Sequence, residues 1–122
     1  MASYQKSEVD LMRSIQIEHG TRDDTRLFRN NTGVLQDKRG THVRFGLCPG
    51  SSDLIGWKSV VITPDMVGKR VAVFTAIETK TAKGAVRINQ HLFIKAVREA
   101  GGKAGVARTM EDADEICNQR PI

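Results

Sequence analysis

The chain has 122 residues, enough for one hydrophobic core and too few for two independent ones, so residues 1–122 are predicted to form a single domain. Its 19 Lys and Arg residues against 14 Asp and Glu give a formal charge of +5, which favours a polyanionic partner, either nucleic acid or an anionic membrane surface. No stretch has the apolar length of a membrane span, and the first residues, MASYQKSEVD, lack the apolar core of a signal peptide. We therefore expect a soluble, cytoplasmic protein.

The cysteines and histidines indicate neither a zinc site nor a nucleophile paired with a base. Cys48 and Cys117 stand far apart, with no second cysteine or histidine at ligand spacing, so free thiols are predicted. The three histidines, His19, His42 and His91, are dispersed, and no serine or cysteine pairs visibly with any of them.

The first half of the chain reads as one helix followed by short strands. A helix is predicted over residues 7–19, with Ser7 as its N-cap and apolar positions at helical spacing. RLFRNN (26–31) and THVRFG (41–46) are strand candidates that can pair as a hairpin around the polar segment 33–40.

The middle of the chain alternates glycine-rich or proline-containing turns with apolar runs. After a loop with Gly46, Pro49 and Gly50, a short strand is predicted to begin at Leu54 and Ile55. TPDMVGKR, 63–70, is typical of a turn or a single helical turn. A long strand is then predicted over residues 71–79.

In the last third of the chain, the sequence predicts a helix at about 86–100, a strand at 103–108 and a final helix, MEDADEICNQ, with acids in its first turn. The order is thus helix, three or four strands, helix, strand, helix, without internal repeats. This pattern predicts an α/β fold in which one mixed sheet is flanked by helices.

The end of the long strand carries a charged pair after seven nearly uninterrupted apolar residues, 71–77. Glu78 and Lys80 point to the same side of a strand because side chains alternate between its faces. Taken alone, the pair is typical of a solvated strand end. Asp53, however, enters the preceding strand from a glycine-rich loop, and neighbouring strands lie about 4.8 Å apart, so both carboxylates could share one ion.

Two converging carboxylates predict a site for Mg²⁺ or Mn²⁺, which bind carboxylates, carbonyls and water. Lys80 could orient or deprotonate the attacking water or stabilise phosphate charge, so the implied chemistry is phosphodiester hydrolysis. Asp65, after Pro64, is an alternative to Asp53, but its sequence context is that of a turn and Asp53 is preferred.

The ordered motifs GSSDLI (50–55), ETK (78–80) and Gln90 in the following helix resemble the virus-type replication-repair nuclease domain, VRR-NUC, of the PD-(D/E)-x-K nuclease superfamily. The likeness covers nearly the whole chain, including the early acidic helix, LFRNNTG and AGGKAGVARTMEDA. Ser52 stands where the family motif has proline, a departure that concerns loop geometry more than chemistry, because Asp53 supplies the carboxylate.

The resemblance implies a restriction-endonuclease-like core in the order α-β-β-β-α-β-α. It also implies that Asp53, Glu78 and the backbone carbonyl of Thr79 hold the divalent ion, with Lys80 assisting the water and Gln90 facing the same cleft. In related nucleases the first helix adds a glutamate to the site. Glu8 is the matching residue here, with Glu18 as the substitute, and an ordinary solvated position is an equal alternative for Glu8.

Small stand-alone members of the family are largely phage or prophage proteins and resemble Holliday-junction resolvases that work as homodimers. The resemblance therefore implies a dimer acting on four-way junctions, since two-fold symmetry matches two equivalent scissile phosphates. Flaps, nicked duplex or RNA are alternative substrates, and a basic nucleic-acid-binding or assembly module without cleavage is the alternative function.

Contacts to DNA are predicted on the basic core itself, since the chain is short. Asn30 and Asn31 could either contact DNA or cap a turn. The full set of predicted contacts is Arg26, Arg29, Asn30, Asn31, Lys38, Arg39, Arg44, Ser51, Ser52, Lys83 and Arg87.

Overall fold

A computed structural model describes residues 7–122 of the chain. Two compact units can be distinguished, divided between Lys58 and Ser59. Each unit contains helices or turns packed against its own short strands, and residues 1–6 lie outside the described part. None of the helices in residues 7–122 has the length and apolar character needed to cross a membrane.

The N-terminal unit begins with helix α1, Glu8–Gly20. The hydroxyl of Ser7 accepts a 3.1 Å hydrogen bond from the backbone N–H of Asp10, so the predicted N-cap is confirmed. Gln16 donates a 3.4 Å hydrogen bond from Nε2 to the carbonyl of Leu27, which joins α1 to the first strand.

Four strands follow α1, and their pairing corrects the sequence-based hairpin. The strands are β1 (Thr25–Arg29), β2 (Gly33–Gln36), β3 (His42–Phe45) and β4 (Leu54–Lys58). β1 pairs antiparallel with β4, whereas β3 pairs antiparallel with β2, so the predicted pairing of 26–31 with 41–46 is wrong. Residues 33–36, predicted as part of a polar turn segment over 33–40, form strand β2 and so make one arm of the hairpin.

The turn of the β2–β3 hairpin is closed by one aspartate. Oδ1 of Asp37 accepts 2.9 Å hydrogen bonds from the backbone N–H groups of Arg39 and Thr41, and Gly40 has a φ of 82°. An aspartate that bonds backbone groups ahead of it and a glycine in the left-handed region together specify a tight turn. Lys38 and Arg39 are thereby exposed at the hairpin tip.

The C-terminal unit contains a 3₁₀ turn at Pro64–Met66, then β5 (Thr75–Thr79), α2 (Ile88–Glu99), β6 (Lys103–Ala107) and α3 (Met110–Cys117). The turn predicted within 63–70 is confirmed. The long strand predicted over 71–79 is regular only from Thr75, because residues 71–74 are not part of a ladder among the described residues. Within residues 7–122, five strands, rather than three or four, precede α2.

The core of the C-terminal unit lies where α2 and α3 pack on the strands. β5 and β6 form a parallel ladder, and the buried apolar residues are Val97 on α2, Ala104 and Ala107 on β6, and Ile116 on α3. Gln119, after α3, bonds both backbone groups of Ala104: Nε2 donates to its carbonyl (3.0 Å) and Oε1 accepts from its N–H (2.9 Å).

The predicted α/β class is confirmed, with three helices and both parallel and antiparallel strand pairs. Hydrogen bonding divides the strands into three two-stranded ladders, β1–β4, β2–β3 and β5–β6. The candidate site lies at the parallel pair of β5 and β6, which α2 connects in the sequence.

Candidate active site

The end of β5 and the first turn of α2 bring three predicted site residues together. Nε2 of Gln90 donates a 2.9 Å hydrogen bond to Oε1 of Glu78, and Nζ of Lys80 lies 3.5 Å from the same oxygen. Glu78 and Lys80 share one side of the chain because they are two residues apart on a strand. The side chains of Glu78 and Lys80 are 34% and 17% exposed, so Lys80 is the more deeply placed.

The amide of Gln90 is held at both of its ends. Its Oε1 accepts a 2.9 Å hydrogen bond from the backbone N–H of Arg87, which is the N-cap residue of α2, while Nε2 donates to Glu78. The bond to Arg87 satisfies an N–H group that the helix itself leaves without a partner. Gln90 therefore caps α2 and orients Glu78 at the same time.

The segment that follows Glu78 is fixed to β6 and to the residue after it. The backbone N–H of Lys80 donates to the carbonyl of Ala107 at 3.1 Å, and the guanidinium of Arg108 donates to the carbonyl of Thr81 at 2.6 Å. Arg108 was not predicted from the sequence, since a lone arginine after a strand gives no signal for a contact with a distant backbone carbonyl.

A cleft of about 380 Å³ opens beside Glu78 and Gln90, between β5 and α2. Its walls are mostly apolar. The lining residues are Ala76, Ile77, Glu78, Asn89, Gln90, Phe93 and Ile94. Phe93 could have been found from its spacing, because it lies three residues after Gln90 and such residues share a helix face.

In the N-terminal unit, Asp53 lies exposed just before β4. The carbonyl of Asp53 accepts a 2.8 Å hydrogen bond from the backbone N–H of Asn30. The side chain of Asn30 bonds the loop before Asp53, donating from Nδ2 to Oγ of Ser51 (2.7 Å) and to the carbonyl of Ser52 (3.0 Å). The alternative Asp65 lies in the 3₁₀ turn, where the hydroxyl of Thr63 donates to its carboxylate.

The predicted DNA-contacting cations are all exposed, in both units. Nε of Arg29 donates a 3.1 Å hydrogen bond to Oδ1 of Asn31, and Arg44 lies on β3. Lys83 and Arg87 lie between β5 and α2, close in sequence to the Glu78 site. The exposed set comprises Arg26, Arg29, Lys38, Arg39, Arg44, Lys83 and Arg87.

The acids of α1 lie at its two ends. Glu8 is exposed in the first turn, and Oε1 of Glu18 lies 4.0 Å from the guanidinium of Arg22. The two cysteines are exposed and free, as predicted.

The oxygens at the end of β5 suit a hard divalent cation. The hydrogen bond from Gln90 and the ion pair with Lys80 both reach Oε1 of Glu78. No cluster of three or more His, Cys, Asp or Glu side chains with metal-binding geometry occurs in that same range. Carboxylate and carbonyl oxygens, such as those of Glu78 and Thr79, are the ligands that hard divalent cations prefer.

The chain was compared with models of known protein families. The model of the VRR-NUC domain matches residues 3–111, which is nearly the whole chain. No curated protein and no solved structure matches the chain.

Proposed function

This chain belongs to the VRR-NUC domain family, and on that premise we propose that it is a metal-dependent, structure-selective DNA endonuclease that resolves four-way junctions. The family has a restriction-endonuclease-like fold and nuclease activity, so the protein is a nuclease with DNA as its substrate. The observation that carries the proposal is that Glu78 is hydrogen-bonded to Gln90 and ion-paired with Lys80, because the residue types and spacing of these three are those of the family motif.

The proposed ligands of the ion are the carboxylates of Asp53 and Glu78 and the carbonyl of Thr79. Nucleases of this family generally use divalent metals, and we propose Mg²⁺ or Mn²⁺ as the ion of this protein. When bound, such an ion lowers the pKa of a coordinated water and neutralises charge on the phosphoryl oxygens. We propose that residues 1–122 act together as a single nuclease domain.

The protein groups around Glu78 have separable tasks in this proposal. Gln90 holds the carboxylate of Glu78 in one orientation, which leaves Oε2 directed away from the Gln90 amide. Lys80 brings a positive charge to within 3.5 Å of Glu78, where it can orient the attacking water and stabilise the phosphate charge that develops during attack. Glu8 is proposed as an additional acid of the site, with Glu18 as its alternative.

The protein is further proposed to act as a homodimer on branched DNA, since two equivalent sites match two equivalent scissile phosphates. The exposed cations on both units support phosphate contact, which is sequence-independent and suits recognition of DNA shape. Asn31, Ser51 and Ser52 are proposed to lie in the same DNA-binding surface.

Cleavage of labelled four-way junction, flap and plain duplex DNA tests the proposal. The wild type, Glu78→Ala and Glu99→Ala are each assayed with Mg²⁺ and with EDTA. Glu99 is a matched control, because it is an exposed acid whose ion pair with Lys95, at 3.8 Å, lies on the surface of α2.

Paired symmetric nicks in the junction, made by the wild type and Glu99→Ala and abolished by Glu78→Ala or EDTA, are the expected result. Cleavage of flaps or duplex with equal efficiency would overturn junction selectivity while leaving the nuclease chemistry in place. Binding of all three substrates without cleavage under any divalent ion would overturn the endonuclease and favour a DNA-binding module.

A further inference from the structure

We propose that Asn30 is a positioning residue for Asp53 rather than a DNA contact. This inference rests on the proposed metal-binding role of Asp53, and nothing in the family match assigns it. The main chain of Asn30 bonds Asp53 directly, and its side chain bonds the loop that leads to Asp53 at three points.

The side chain of Asn30 uses most of its hydrogen-bonding capacity inside this loop. Both hydrogens of Nδ2 are engaged, one by Oγ of Ser51 at 2.7 Å and one by the carbonyl of Ser52 at 3.0 Å. Oδ1 accepts from the backbone N–H of Leu47 at 3.0 Å. An amide has two donors and one acceptor oxygen, so no N–H of Asn30 is left to donate to a phosphate.

Ser51 continues the network into the start of the loop. Its hydroxyl donates to the carbonyl of Cys48 at 2.7 Å and accepts from the Cys48 N–H at 3.3 Å. The loop from 47 to 52 contains no helix or strand of its own, so these bonds substitute for a regular ladder. Asn30 thus joins both ends of the loop, through Leu47 at the start and Ser52 at the end.

Gly46, at the start of the loop, is a second and independent indication that the sequence specifies the backbone path of the loop. Gly46 has a φ of 87°, and a Cβ at this position would clash with the carbonyl of Asn31 and with Thr32. Only glycine combines this backbone conformation with so close an approach to residues 31 and 32. The chain therefore returns over the segment next to Asn30 before it enters the loop.

A metal ligand on a loop requires this kind of support. Asp53 is exposed and directly precedes β4, and the 2.8 Å bond from the Asn30 N–H to its carbonyl continues the β1–β4 register by one pair. The segment that needs further support is therefore the loop that leads into Asp53. Groups that orient a ligand typically change metal affinity or activity by about 10–100-fold when removed. In this proposal, Asn30 is the group that orients Asp53.

The test compares Asn30→Ala with Ser51→Ala, the double variant, Asp53→Ala and Gln36→Ala. Gln36 is the matched control, because it is an exposed amide of the same unit that makes one hydrogen bond, 3.2 Å, to the carbonyl of Gly40. The readouts are Mn²⁺ binding by calorimetry, the Mg²⁺ concentration for half-maximal cleavage, kcat and KM on junction DNA, DNA affinity in EDTA at several salt concentrations, and hydrogen exchange at the Leu47 amide.

Asn30→Ala is expected to weaken Mn²⁺ binding and raise the half-maximal Mg²⁺ concentration by about 10–100-fold. DNA affinity in EDTA and its salt dependence should stay unchanged, because no phosphate contact is lost. Exchange at the Leu47 amide should become faster in Asn30→Ala and not in Gln36→Ala. The double variant should be no worse than the more damaging single one, since both residues act through one network.

Two results would overturn the inference. One is weaker DNA binding by Asn30→Ala with a shallower salt dependence and unchanged Mn²⁺ affinity, which would make Asn30 a phosphate contact. The other is faster exchange at Leu47 without any effect on metal affinity or kcat, which would make Asn30 purely structural. Failure of the proposed function itself would give another result: Asp53→Ala would then bind Mn²⁺ as tightly as the wild type.

Discussion

The carboxamide of Gln90 bonds Oε1 of Glu78 at 2.9 Å and thereby links the first turn of α2 to the end of β5. Because the other end of the same amide accepts from the Arg87 N–H, rotation of Gln90 would break two bonds at once. The carboxylate of Glu78 is consequently held by the first turn of α2.

Gln90→Leu should lower kcat by about 10–100-fold, the usual effect of losing a group that orients a ligand. The leucine fills similar space but cannot donate to Glu78. Steady-state cleavage of junction DNA measures the effect, and His91→Leu, at the next and exposed position of α2, serves as the control. Equal activity of both variants would show that the Gln90 bond is dispensable.

Lys80→Met should lower kcat by about 100-fold or more while KM for DNA stays close to the wild-type value. Methionine retains much of the side-chain stem and removes the positive charge 3.5 Å from Glu78. The control is Lys95→Met, because Lys95 is a 70% exposed lysine on α2. A rise in KM without a fall in kcat would assign Lys80 to substrate binding instead.

Arg44→Ala and Lys83→Ala should each reduce the salt dependence of DNA binding by about one unit of the log–log slope, because each removes one phosphate contact. The slope is obtained by measuring DNA binding in EDTA at about 50 to 200 mM salt, a range over which phosphate contacts change the affinity. Lys95→Ala is expected to leave it unchanged. A slope that none of the variants alters would place the DNA on another surface.

Val97→Ala should destabilise the protein by about 1–3 kcal/mol, because Val97 is 1% exposed on α2, a helix that packs against β6. Ile88→Ala, on the same helix at 78% exposure, should cost less than about 0.5 kcal/mol. Urea denaturation followed by circular dichroism compares the two. Similar losses would mean that Ile88 is buried in solution, for example against a second subunit.

Local signals in the sequence predicted the helices and turns well. Ser7 and the acidic first turn of α3 mark helix starts, and Pro64 marks the 3₁₀ turn, because capping and turn chemistry depend on adjacent residues. The pairing of the strands was harder to predict from the sequence. The pairing of β1 with β4 rather than with β3 is a long-range choice, and residues 71–74 are apolar without joining a ladder.

In the candidate site, too, local features could be predicted from the sequence and long-range contacts could not. The common side of Glu78 and Lys80 follows from strand alternation, and the sequence could predict it. The partners of Asn30 and Arg108 could not be predicted, because an amide or guanidinium can bond many backbone groups and only the folded chain decides which. For Asn30 the sequence left a DNA contact and a turn cap equally open.

The two bonds from Gln119 to Ala104 have a consequence for the outer side of β6. Lys103 donates to the carbonyl of Phe74 and Ala107 accepts from the N–H of Lys80, the two residues that flank β5. Ala104 therefore directs its N–H and carbonyl away from β5, where Gln119 bonds both. Exposed strand edges recruit strands from other chains and so promote aggregation. One glutamine side chain bonds Ala104 of β6 as a neighbouring strand would, and an incoming chain would have to displace it before it could extend the sheet.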